Sequence, residues 1–184
     1  MEPVYEIPQC VIQKLQMLDS ITLNHSVRVA EIASGYEICR KHPNNLLSRA
    51  ALVHDIGKVY ISSKIIDKPG VLSNLEREIV NLHPYIGYKI LKEDGVNDKI
   101  CTIALYHHGI NPPILQPTQP YEDDEVLNYA KMLRTIDSYE ALTSDRPYRR
   151  GFSGQKAIEI MDTEENHHPD VMEYFRYLHN QGSL

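Results

Sequence analysis

The stretch that decides the reading is Ser48-Arg49-Ala50-Ala51-Leu52-Val53-His54-Asp55-Ile56-Gly57-Lys58. An apolar run that reads as a buried helix delivers an imidazole and a carboxylate side by side. A glycine and a lysine follow within one helical turn. A buried, unpaired aspartate costs several kcal/mol, so Asp55 calls for a cation or a strong donor. A divalent metal meets that need, because imidazole nitrogen and carboxylate oxygen are ordinary ligands for first-row ions. A plain helix C-terminus fits the same residues: His54 and Lys58 suit the negative end of the dipole, and Gly57 suits a C-cap. The two readings stand level until the rest of the chain is considered.

Working outward, the periodic stretches read as helices. Ile7, Val11, Ile12, Leu15 and Leu18 share one helical face. Asn24 can cap a second helix that carries His25 and continues to about Ile38. Pro43 stops it. After Lys58 comes a brief apolar stretch over 59–66 and a strong turn at Asp67-Lys68-Pro69-Gly70. Ser73 and Glu76 form a capping box, and the helix they open runs to about Leu82. His83-Pro84 interrupts it, with Pro84 near the first position of the next helix. A buried helix over 97–107 ends in His107-His108-Gly109. Four prolines between Gly109 and Pro120 then make a loop. Glu122 to Glu125 open a long helix that carries Asp137 among core-like residues. Ser153 caps a further helix, and a last amphipathic one runs from about Asp170 to Leu178. His42 reads as a surface residue, and His167-His168 as a polar-loop pair that no apolar helix delivers. The expected fold is an all-α bundle with a metal site between its helices, one domain over residues 1–184.

Bulk properties exclude several classes. With 42% hydrophobic and 24% charged residues the composition is that of an ordinary globular chain. No apolar run reaches the roughly 18 residues of a membrane span, and no secretory signal opens the chain, so a cytoplasmic location is expected. Cys10, Cys39 and Cys101 are scattered and form no CxxC, which argues against a thiolate site. A net charge of −6 argues against broad nucleic-acid binding but not against a small phosphorylated ligand in a locally positive pocket.

Nine histidines are more than packing needs. The candidates near the ends of, or on, buried helices are His25, His54, Asp55, His83, His107, His108 and Asp137. One ion does not use seven such ligands; two ions sharing a bridging carboxylate do. Such pairs, about 3.5–4 Å apart, commonly serve phosphate-ester hydrolysis. His and carboxylate ligands fit iron or manganese and allow zinc, cobalt or nickel.

These motifs, in this order, resemble the HD superfamily of metal-dependent phosphohydrolases and its HD-GYP branch: HDIGK at 54–58, KPGVLSNLE at 68–76, HPYIGYKIL at 83–91, HH at 107–108 and DSYEALTSDRPYR at 137–149. The segment from Gln155 to Leu178 is similar to the branch's terminal helices. The resemblance implies that His25, His54, Asp55 and Asp137 hold one metal, and that Asp55 bridges to a second held by His83, His107 and His108. It implies that Lys58 faces the scissile phosphate and that Arg146 and Arg149 contact ligand phosphates. Some members use a glutamate four residues before the first ligand histidine for a third metal. Ile21 stands there, so two metals are expected.

The activity implied is a binuclear phosphodiesterase, with a hydroxide between the metals attacking a cyclic dinucleotide (cyclic di-GMP by resemblance). The branch pattern HHExxDGxGYP is not kept, however. After His107-His108 this chain reads Gly109-Ile110-Asn111-Pro112-Pro113-Ile114-Leu115-Gln116-Pro117, without the Glu, the Asp or the GYP. Two alternatives therefore stand beside the first: hydrolysis of other nucleotides or phosphate esters, and a metal-bound module that binds a ligand or a signalling partner without catalysis.

Overall fold

A computed structural model describes residues 6–41, 44–66, 68–109, 123–145 and 149–182. The regular elements among them are helical: α1 (Gln9–Leu15), α2 (Ser20–Cys39), α3 (Leu46–Val53), a 3₁₀ turn (Ile56–Tyr60), α4 (Ser63–Ile66), α5 (Asn74–Val80), α6 (His83–Glu93), α7 (Asp98–Tyr106), α8 (Asp124–Thr143), α9 (Gly154–Met161) and α10 (Pro169–Asn180). The all-α expectation holds, and the short apolar stretch after Lys58 is 3₁₀ turn and helix.

α3 is the central element. Leu46, Leu47, Ala50, Ala51 and Val53 are fully buried, and α2, α7 and α8 pack around it. Small residues at 50 and 51 let neighbouring helices approach closely. Large side chains from α7 and α8 (Ile100, Ile103, Leu133, Ile136) complete the core. α10 is held to α8 by Phe175, which stacks on Tyr139 with ring centroids 4.1 Å apart.

Helix ends follow the local chemistry. Ser73 accepts from the Glu76 amide while Glu76 bonds back to the Ser73 amide, a full capping box. Ser153 caps α9. The cap of α2 differs from the expected one: Asp19, not Asn24, accepts from the Thr22 amide at 2.8 Å, and Asn24 lies inside the helix. Asp at this position satisfies a free amide and complements the dipole, and the extra turn places His25 well inside a stable element.

Gly57 is also not a C-cap. α3 ends at Val53 and the chain tightens into the 3₁₀ turn, with the Lys58 amide on the Asp55 carbonyl at 3.0 Å. The glycine is required by contact: a Cβ there would sit 2.0 Å from the His83 carbonyl oxygen and 2.6 Å from the Gly87 amide nitrogen. Gly87 offers the matching flat face, its own Cβ position being 3.3 Å from Gly57. The two glycines bring the turn carrying Asp55 against the helix that begins with His83.

Candidate metal centre

Three histidines are set by one device. His54 and His107 are the first residues past α3 and α7, and His83 follows α5 at the start of α6. Each uses Nδ1 to bond the carbonyl three residues back: Ala51 at 2.7 Å, Ala104 at 2.6 Å and Val80 at 2.7 Å. A carbonyl only accepts, so Nδ1 carries the proton and Nε2 is left with a lone pair. The bond also satisfies a helix-terminal carbonyl that has no partner within its helix. That is the physical reason for a histidine where each helix stops.

Those lone pairs converge. His83 Nε2 and His107 Nε2 lie 3.4 Å apart, and the ring centroids of His54 and His107 are 4.9 Å apart. Two lone pairs facing each other repel unless a positive charge lies between them. The spacing suits two donors sharing a cation about 2.1 Å from each. His83, His107 and His108 offer ligand atoms mutually within 4.8 Å, as do His25, His54 and Asp55, and His54, His107 and Asp137. His54, His83, His107 and Asp55 are buried, and His108 is exposed.

Asp55 faces both sets. Its Oδ1 is 3.2 Å from His83 Nε2; its Oδ2 is 3.5 Å from His54 Nε2, 3.7 Å from His25 Nε2 and 2.7 Å from Lys58 Nζ. Burial opposes its ionisation, but Lys58 and the surrounding imidazoles hold its carboxyl well below the usual range. Burial drives His83 down to about 3 and His107 far below its ordinary value, so both stay neutral, as ligands must be. His25 behaves oppositely. Burial disfavours its charge, yet bonds to Asp137 and Glu140 raise it to about 9, so an ion bound by its Nε2 would have to displace a proton.

His25 is oriented by a carboxylate rather than a carbonyl. Its Nε2 is 2.9 Å from Asp137 Oδ1, and its Nδ1 bonds the Glu140 carboxylate. Glu140 is buried and is in turn held by Arg28 and Ser144. A carboxylate behind a ligand histidine fixes its ring and raises its basicity. The sequence reading missed Glu140 and Arg28. Their signal was spacing: Asp137 and Glu140, like His25 and Arg28, are three residues apart on one helix, which puts each pair on one face.

The candidates His25, His54, Asp55, His83, His107, His108 and Asp137 thus come together, with Lys58 at their edge. Arg146 lies outside the described residues. Arg149 is engaged elsewhere: its guanidinium donates to the Leu142 and Arg150 carbonyls, both at 3.1 Å, and to the Ala141 carbonyl, at the C-terminal end of α8. His167 and His168 stand apart from the centre, on Glu164 and on Asn128 and Thr135.

The HD domain family model matches residues 22–142, a span that includes all seven candidate ligands. The chain belongs to the HD-domain family. Its sequence is 32% identical over 177 residues to a cyclic di-GMP phosphodiesterase of Pseudomonas aeruginosa, covering 92% of this chain and 41% of the relative. It is 36% identical over 125 residues to 3'3'-cGAMP-specific phosphodiesterase 3 of Vibrio cholerae, covering 68% and 26%. The chain therefore spans less than half the length of these relatives. Its fold is shared with the HD domain of the L. monocytogenes phosphodiesterase PgpH, at a TM-score of 0.65 and 21% identity, covering 92% of this chain and 94% of that one. A structure of that HD domain in complex with cyclic-di-AMP matches equally well, at 20% identity. Among the described residues no helix is long and apolar enough to cross a membrane.

Proposed function

We propose that this HD domain is a two-metal phosphodiesterase whose substrate is a cyclic dinucleotide. The observation that carries the reading is Asp55, whose two oxygens face separate sets of imidazoles. His25, His54, Asp55 and Asp137 would hold one divalent ion, and His83, His107, His108 and the other Asp55 oxygen a second. Bound there, such ions polarise a phosphoryl oxygen and lower the pKa of water toward neutrality; iron or manganese suits the ligand set, and zinc, cobalt or nickel is compatible with it.

The chain's own groups supply the rest. Asp55 and the carbonyl-anchored imidazoles are fixed before any ligand arrives, so little reorganisation opposes binding. Lys58, partly exposed beside Asp55, would donate to a phosphoryl oxygen as negative charge gathers on it. Arg146 and Arg149 are the proposed phosphate contacts. For Arg149 that role requires exchanging its carbonyl bonds for a phosphate, a trade a guanidinium fork makes readily.

Cyclic di-GMP and 3'3'-cGAMP named by the two relatives, and cyclic-di-AMP in the solved complex, support a cyclic dinucleotide as the class. The departure from the branch pattern after His108 is the one observation favouring a different phosphate ester. Protein purified without oxygen, analysed for metal and then loaded with iron or manganese, is assayed on the three cyclic dinucleotides and on a panel of phosphomonoesters. The expected result is two metals per chain and hydrolysis of a dinucleotide, with Asp55→Ala reduced to background and depleted of metal. A preference for monoesters retires the dinucleotide assignment. Full activity in metal-loaded Asp55→Ala, or ligand binding without turnover under any metal, retires the enzyme reading.

A further inference from the structure

Beside the metal centre, between the end of α7 and the face of α8, lies a cavity of about 280 Å³ that no candidate ligand lines. Tyr106, Leu127 and Ala130 form its apolar part; Lys131, Arg134 and Asn166 bring polar groups to it. No carboxylate lines it among the described residues. Lys131 and Arg134 are three apart on one helix, an arrangement in which like charges repel. In a chain of net charge −6, neither side chain makes an ion pair or hydrogen bond among the described residues. Two of its lining residues, Gly109 and Arg134, lie close in the chain to candidate ligands. Gly109, at its edge, directly follows His107 and His108, and the position of a Gly109 Cβ is 3.7 Å from Arg134 Nη1. Arg134 itself stands one turn before Asp137.

Two cations with no side-chain partner among the described residues, set over an apolar wall, suit an anionic group attached to a flat or apolar body. We infer that this cavity is an anion subsite taking the second, non-scissile phosphate of a two-phosphate ligand, while the scissile one lies at the metals. The inference rests on the phosphodiesterase reading and narrows it: the subsite has a use for a cyclic dinucleotide and none for a simple monoester. Arg134 and Lys131 are then specificity residues, since losing contact with the second phosphate weakens binding of the larger ligand selectively.

The test compares wild type with K131Q/R134Q, each loaded with manganese, on cyclic di-GMP and on bis(p-nitrophenyl) phosphate, which has a single phosphate. Metal content and the thermal transition of the variant show that it is folded, and Arg134→Lys gives a milder second variant. The ratio of kcat/KM for cyclic di-GMP to that for the one-phosphate substrate is expected to fall about tenfold or more in the double variant, as for lost charge-assisted hydrogen bonds, mostly through KM. A ratio within twofold of wild type overturns the subsite. If wild type hydrolyses neither compound, the phosphodiesterase reading has failed on its own. Equilibrium dialysis with cyclic di-GMP then decides the subsite: retention by wild type and loss in K131Q/R134Q supports it, and equal retention or none in either protein overturns it.

Discussion

Glu140 illustrates how much of a metal site sits behind its ligands. It touches no ion directly in the arrangement described, yet it sets the ring of His25 and is itself fixed by Arg28 and Ser144. Replacing the carboxylate with an amide keeps the shape but removes the charge that makes His25 a strong donor. Glu140→Gln is therefore expected to weaken metal affinity about 10- to 100-fold, measured by competition with a chromophoric chelator. Glu140→Asp, which keeps the charge but shortens the reach, should fall between. Unchanged affinity in Glu140→Gln would reduce Glu140 to a packing residue. The other three anchored imidazoles rely on backbone carbonyls, which no substitution removes, so the His25 side is where outer groups control the site.

At the scale of elements, the site depends on helices stopping in the right places. α3, α5 and α7 each end where a histidine takes up a terminal carbonyl, and the 3₁₀ turn after α3 is pressed against α6 by Gly57 and Gly87. A methyl at position 57 would meet backbone atoms of His83 and Gly87 that have nowhere to go. Gly57→Ala should push the turn from α6, separating Asp55 from His83. Overpacking of this kind costs about 1–3 kcal/mol or more, or roughly 2–12 °C in Tm for a chain of this size. Calorimetry checks the Tm, and metal analysis should show the His83 side emptied first. A variant with wild-type Tm and two metals would show that the close approach is not required. The capping box at Ser73 and Glu76 was readable from the sequence because its bonds are local. The Gly57 contact was not, because its partner is 26 residues away and nothing in the glycine itself distinguishes a C-cap from a close approach.

At the scale of the molecule, the candidate ligands come from α2, the end of α3, α6, the end of α7 and α8, so ions bound among them would tie together the elements that enclose the core. Binding to the folded state alone stabilises by about 2.7 kcal/mol when free metal is 100 times its Kd, which corresponds to roughly 5–11 °C at this chain length. Tm should fall by about that much on chelation and return with manganese; a Tm indifferent to metal would mean that these side chains bind no ion strongly. The all-helical fold and the helix ends near most of the histidines were determined by the sequence itself, which also named the seven candidates that the structure brings together. Periodicity, caps and residue chemistry are local properties, and His54, His83, His107 and His108 stand at helix ends where the apolar pattern breaks. Only the tertiary structure decided that the two oxygens of Asp55 face different imidazole sets, that Glu140 stands behind His25, that Gly57 is a contact residue, and that Lys131 and Arg134 share a cavity with the residue after His108. Each of these is a distance between groups far apart in the chain, and packing fixes such distances where local sequence does not.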